Sequence, residues 1–158
     1  MSYKISIIGS AGIPAAYGGF ETLVEHLVRN APYSESGIQI VVYCSGNSED
    51  KEYEGAKLRY VNLNSNGIMS ILYDIVSMIK SGLDKSNCVL ILGCSGALFI
   101  PIYKILFKIK VVTNVDAFSS VVILLKSQSK HNIKSLKNIA STSDGFVPPA
   151  EWPWIYPI

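Results

Sequence analysis

Short β-branched runs that stop at a glycine or a polar turn alternate with stretches of helical period along most of this chain. That alternation is its strongest constraint. Tyr3–Gly9 (YKISIIG) reads as a buried first strand. Phe20–Asn30 follows with Phe20, Leu23, Val24, Leu27 and Val28 at helical spacing, and Pro32 lies just past its end. Ile38–Cys44 is a second strand, Asn47–Glu54 a polar connection, and Lys57–Leu63 a third strand. Asn66 is expected to cap a helix over Gly67–Ser81, with Ile68, Leu72, Ile75, Val76 and Ile79 as its core stripe and Gly82 beyond its end. Cys88–Leu92 is a fourth strand and Ile109–Val115 a fifth. Between them Gly96–Phe107 is an apolar helix that kinks at Pro101 or begins its α turn near it.

Strands alternating with helices require βαβ crossovers. The fold class is therefore α/β, a Rossmann-like parallel sheet of five strands with helices on both faces. The reading assigns residues 1–116 to this domain. Residues 117–158 form a divergent tail, expected to be irregular because Pro148, Pro149, Pro153 and Pro157 crowd its end around Trp152 and Trp154. Apolar residues make up 49% of the 158 and charged ones 16%, against a usual charged share of about 25%. This excludes disorder and suits a sheet covered on both faces.

The charge of +2 and the lack of a Lys/Arg cluster interleaved with aromatics exclude a nucleic-acid partner. Lys104, Lys108 and Lys110 flank an apolar helix, either as a solvated edge or as a contact to an anionic membrane. Cys44, Cys88 and Cys94 lie in or just after strand-like runs and read as thiols in a reducing compartment. His26 and His131 are far apart and no metal-ligand spacing occurs, so no metal and no cofactor are expected. Met1-Ser2 leads straight into a strand, and no apolar run is long enough to span a bilayer. The expected place is the cytoplasm, with peripheral contact at the inner face of the plasma membrane.

In an open parallel sheet, ligands bind at the carboxyl ends of strands. Three loops there carry candidate chemistry. Gly9–Glu21 (GSAGIPAAYGGFE) opens a helix, and Gly18 and Gly19 would let backbone N–H groups approach a phosphate. Glu21 complements the helix dipole or meets a sugar hydroxyl. The spacing is not a dinucleotide fingerprint, and no acid closes the second strand to hold a ribose. Gly93-Cys94-Ser95-Gly96-Ala97 resembles a nucleophile elbow, with Asp116 and His131 in hydrolase order; the alternative is a tight turn with a serine cap. Asn114-Val115-Asp116 places an acid where it could take a proton from an acceptor hydroxyl, or simply cap a turn.

The stretch KISIIGSAGIPAAYGGFETLVEHLV resembles the start of the N-terminal domain of capsule and O-antigen rhamnosyltransferases and related GT-B glycosyltransferases. Tyr73-Asp74 with Ser77, Leu90–Gly93 followed by Ser95–Phe99, and Asn114-Val115-Asp116 match in order, so the likeness covers roughly 3–116. It implies a retaining, metal-independent transferase moving a sugar such as rhamnose from a nucleotide-sugar donor to a lipid-linked saccharide. This domain would hold the acceptor, and a C-terminal domain, absent from these 158 residues, would grip the nucleotide. By position, Gly18 and Gly19 would approach the donor diphosphate across the cleft, Phe20, Glu21, Ser95 and Asn114 would belong to the same substrate and phosphate site, and Asp116 would lie near the reacting sugar. Family members continue with Gly and an acidic–Trp–basic segment where Ala117–Ser120 stands here, which reads as a truncated or shifted frame. Two other functions fit the same residues: a non-catalytic module pairing with a separate donor domain, and a serine hydrolase using Ser95.

Overall fold

The structure, a computed structural model, describes residues 3–16, 18–31, 37–93, 95–114 and 145–147. Its elements are β1 (Tyr3–Ile8), α1 (Gly19–Arg29), β2 (Ile38–Ser45), β3 (Glu52–Tyr53), β4 (Ala56–Val61), α2 (Met69–Leu83), β5 (Cys88–Leu92), α3 (Ile100–Phe107), β6 (Lys110–Asn114) and β7 (Gly145–Val147). A 3-10 turn over Ala97–Phe99 leads into α3, with Pro101 in the first turn. That settles the alternative at Pro101: its missing N–H falls where a helix has no acceptor to offer.

The strands form one sheet in the order β3-β4-β2-β1-β5-β6-β7. Every pairing is parallel except β3 with β4. The α/β, Rossmann-like architecture holds, but among the described residues the sheet has seven strands and not five. β3 lies inside the stretch expected to be a polar connection. A two-residue turn at Glu54 and Gly55, both at positive φ, folds Tyr53 back on Ala56 in the geometry of a tight hairpin. Tyr53 then fastens this edge: its hydroxyl donates to Glu25 Oε1 at 2.6 Å and accepts from Arg29 Nη2 at 2.8 Å. β7 comes from the stretch expected to be irregular and pairs with β6 from Val112↔Gly145 to Asn114↔Val147.

Alternation along the central strands splits the core between two faces. Ile7, Ile40 and Val42 pack with Val24 and Val28 of α1. Ile8, Val41, Tyr43, Ile91 and Val111 pack on the other side with Tyr73 and Met78 of α2 and Ile100 and Tyr103 of α3. Each such aliphatic contributes about 1.5–3 kcal/mol on burial.

α2 departs most from its expected form. Gly67 sits at φ 67°, outside the right-handed helix, so the helix starts at Met69 and Asn66 does not cap it. It runs on to Leu83, and Gly82 lies within it, its Cα facing the Phe107 ring. The buried side is Tyr73, Asp74, Ser77, Met78, Ser81 and Gly82. The expected core stripe is turned outward: Ile68, Leu72 and Ile79 are exposed, Ile75 and Val76 only half-buried. Hydroxyls win the interior because each finds a local acceptor. Ser77 Oγ donates to Tyr73 O at 2.7 Å, and Ser81 Oγ to Met78 O at 2.7 Å.

Candidate functional site

β1 and β5 are neighbours, yet the chain leaves them in opposite directions. From β1 it passes through α1 to β2 on one side; from β5 it passes through α3 to β6 on the other. At such a reversal, open α/β sheets usually bind their ligands in a crevice between the loops at the carboxyl ends. Here those loops are 9–18 and 93–96. They meet closely: Gly9 packs so near Leu92 O that no Cβ would fit, and the Phe20 ring edge lies against Gly93. Gly93 N–H donates to Asn114 O at 2.8 Å, which brings the end of β6 to the same edge.

Acids on α1 hold the glycine-rich loop. Glu21 Oε1 accepts from Ala11 N–H at 2.7 Å, and Glu25 Oε2 from Ala15 N–H at 2.9 Å. The hydrogen bonds from Tyr53 and from Ala15 hold the Glu25 carboxyl below its ordinary range. Ala11 O in turn accepts from Ser45 N–H at 2.9 Å. Gly18, at φ 118°, precedes the helix, and a Cβ there would collide with the Glu21 carboxylate. Gly19 differs: it is the first residue of α1, exposed, and a Cβ on it would meet nothing within 4 Å. α1 has no side-chain cap at its N-terminus.

Under the crevice, Tyr73 reaches up from α2. Its hydroxyl lies 2.7 Å from Tyr43 O and 3.0 Å from Ser10 O, and burial drives its pKa well above the ordinary phenol range. The next residue, Asp74, is 1% exposed. Its Oδ2 accepts from Ser95 Oγ at 2.5 Å, and the backbone of Gly96 also hydrogen-bonds to it. Desolvation outweighs those two bonds and raises the carboxyl to about 6. Ser10 Oγ, 1% exposed in the β1 loop, has no hydrogen-bond partner among the described residues.

Residues 2–136 match the family described as a domain of unknown function, DUF1972. The chain belongs to the DUF1972 family. No curated protein matches it.

The DUF1972 crevice gathers most of the positions singled out in the sequence. Gly18, Gly19, Phe20 and Glu21 stand on one side of it, Ser95 on the other, and Asn114 at the end of the neighbouring strand. Asp116 and His131 lie outside the described residues, as does Cys94. Glu21 acts as an acceptor that braces the loop. Ser95 donates its hydrogen bond to the Asp74 carboxylate, in the place where a hydrolase would hold an imidazole. Asp74 was legible only as part of a resembling pair. What marks it as part of the site is tertiary: a buried carboxylate beneath the β5 loop. Of the cysteines in the described residues, Cys44 is buried and Cys88 half-buried. Among the described residues no helix is long and apolar enough to cross a membrane.

Proposed function

We propose that this domain is the acceptor side of a sugar-transferring enzyme of GT-B type. In this reading the crevice between loops 9–18 and 93–96 receives a lipid-linked saccharide. A second domain brings a nucleotide sugar, such as a rhamnose donor, against it. The observation that carries the reading is Gly19. Neither backbone conformation nor space requires a glycine there, so the missing Cβ is explained by something that approaches the first turn of α1 from outside. Uncapped amides of a helix N-terminus suit the diphosphate such substrates carry. The DUF1972 match supports the same direction, since that domain is associated with glycosyltransferase-like proteins.

Transfer needs donor and acceptor held together, an advantage worth about 7–11 kcal/mol that one side of a cleft does not supply. The 158 residues alone are thus expected to bind acceptor without turning over donor. Titrating a short-chain prenyl diphosphosaccharide into isotopically labelled protein tests this. Amide shifts should cluster at Gly18, Gly19, Phe20 and Ser95. Shifts confined to other elements, or turnover of a nucleotide sugar by this chain alone, would contradict the proposal.

A further inference from the structure

β4 reads Ala-Lys-Leu-Arg-Tyr-Val, so Leu58 points into the α1-side core while Lys57 and Arg59 emerge on the other face. Both side chains are exposed. The result is an open cleft of about 630 Å³ whose cations are Lys51, Lys57, Arg59 and Lys80. Two carboxylates, Glu52 and Asp84, also line it. Asp84 is already engaged: its Oδ2 lies 3.3 Å from the Tyr43 hydroxyl and 3.7 Å from Arg59 Nε. The three lysines are in none of the ion pairs of the described residues.

Leu83 of α2 lines the same cleft and is 69% exposed. It ends the outward stripe Ile68, Leu72, Ile75, Ile79 and Leu83, which stays within about 80° of helix rotation. Cationic cleft and aliphatic ridge therefore join at Leu83.

We propose that this surface binds an anionic phospholipid at a membrane surface, with the headgroup phosphate in the cleft and the α2 ridge against the acyl region. Charge decides for an anion, since the pair Arg59–Asp84 leaves three lysines facing one carboxylate, Glu52. The ridge decides for a lipid over free phosphate, which would leave the aliphatics in water. The proposal stands apart from the sugar-transfer reading.

Co-sedimentation of the 158-residue protein with vesicles tests it. The protein should pellet with phosphatidylcholine mixed with phosphatidylglycerol and stay in solution with phosphatidylcholine alone. Lysines near an anionic surface contribute about fivefold each, so K51Q/K57Q/K80Q should weaken binding about a hundredfold. L72S/L83S should weaken it with all lysines present, at an unchanged melting temperature. Equal pelleting with neutral vesicles would overturn the proposal. So would binding of inorganic phosphate by a protein that ignores anionic vesicles, or self-association that L72S/L83S abolishes in a protein that does not pellet. None of these results moves the amide shifts expected at the crevice.

Discussion

Ser95 Oγ donates to Asp74 Oδ2 across 2.5 Å, and this bond ties the loop after β5 to the buried side of α2. Gly96 makes the approach possible, because a Cβ on it would stand 2.8 Å from Asp74 Cβ. The carboxylate is thus a positioning group. It fixes the backbone that forms one wall of the crevice, and the cost is a charge held out of water.

That cost sets a pH dependence. The Asp74 carboxyl is raised in the fold from its ordinary 3.8 to about 6. A raised carboxyl favours the folded state while protonated, so its contribution is complete below about pH 4 and is lost as pH rises through about 6. The swing amounts to about 2–3 kcal/mol. Asp74→Asn should remove it. Urea unfolding from acid to neutral pH is the measurement, with the difference between variant and wild type changing in favour of the variant as pH rises. A constant difference would refute the assignment. Glu25, whose carboxyl is lowered, contributes in the opposite sense and cancels in this comparison.

The outward stripe of α2 predicts a reversal of the usual rule. Leu72 is 50% exposed while Met78 is fully buried. Leu72→Asp should change stability by no more than about 0.5 kcal/mol, as at an ordinary surface site. Met78→Ala should cost about 2–5 kcal/mol through the cavity it leaves. Thermal melts of the two variants decide, and a collapse of Leu72→Asp would mean that the ridge packs against protein.

How far the sequence reveals this molecule depends on where hydrogen bonds are settled. β1, β2, β5 and β6 are apolar because both faces of the sheet are covered, and such runs announce themselves. The carboxyl-end loops follow from strand order alone, which is why the sequence already puts Gly18, Gly19, Ser95 and Asn114 at that edge of the sheet. The buried side of α2 was not. Ser77, Ser81 and Tyr73 satisfy their hydroxyls on carbonyls and on Tyr103, and a hydropathy stripe has no way to represent that. β3 was missed because a two-residue strand has no period, although its Glu54-Gly55 turn was a usable signal.

Gly82 and Phe107 provide a test of helix packing. In an exposed helix Ala in place of Gly gains about 1 kcal/mol. Here a Cβ would lie 2.6 Å from the Phe107 ring, and overpacking of that kind costs about 1–3 kcal/mol. Gly82→Ala is therefore expected to destabilise, and Phe107→Leu should rescue it in the double variant by more than additivity allows. Stabilisation by Gly82→Ala alone would show that the two helices are not held this closely.

The two adjacent glycines before and at the start of α1 separate structure from function. Gly18→Ala forces an L side chain into φ 118° against the Glu21 carboxylate, which is also the group that holds Ala11. It should lower stability by about 1 kcal/mol or more. Gly19→Ala meets open space in a helical conformation and should leave stability unchanged or raise it by up to about 1 kcal/mol. If a diphosphate seats against the first turn of α1, however, the new methyl group occupies its approach. Acceptor binding by Gly19→Ala should then fall at least tenfold, a loss of about 1.4 kcal/mol, in a protein that melts no lower than wild type. Titration and melting on the same sample read the two effects separately. Undiminished acceptor binding by Gly19→Ala would remove the observation on which the sugar-transfer proposal rests.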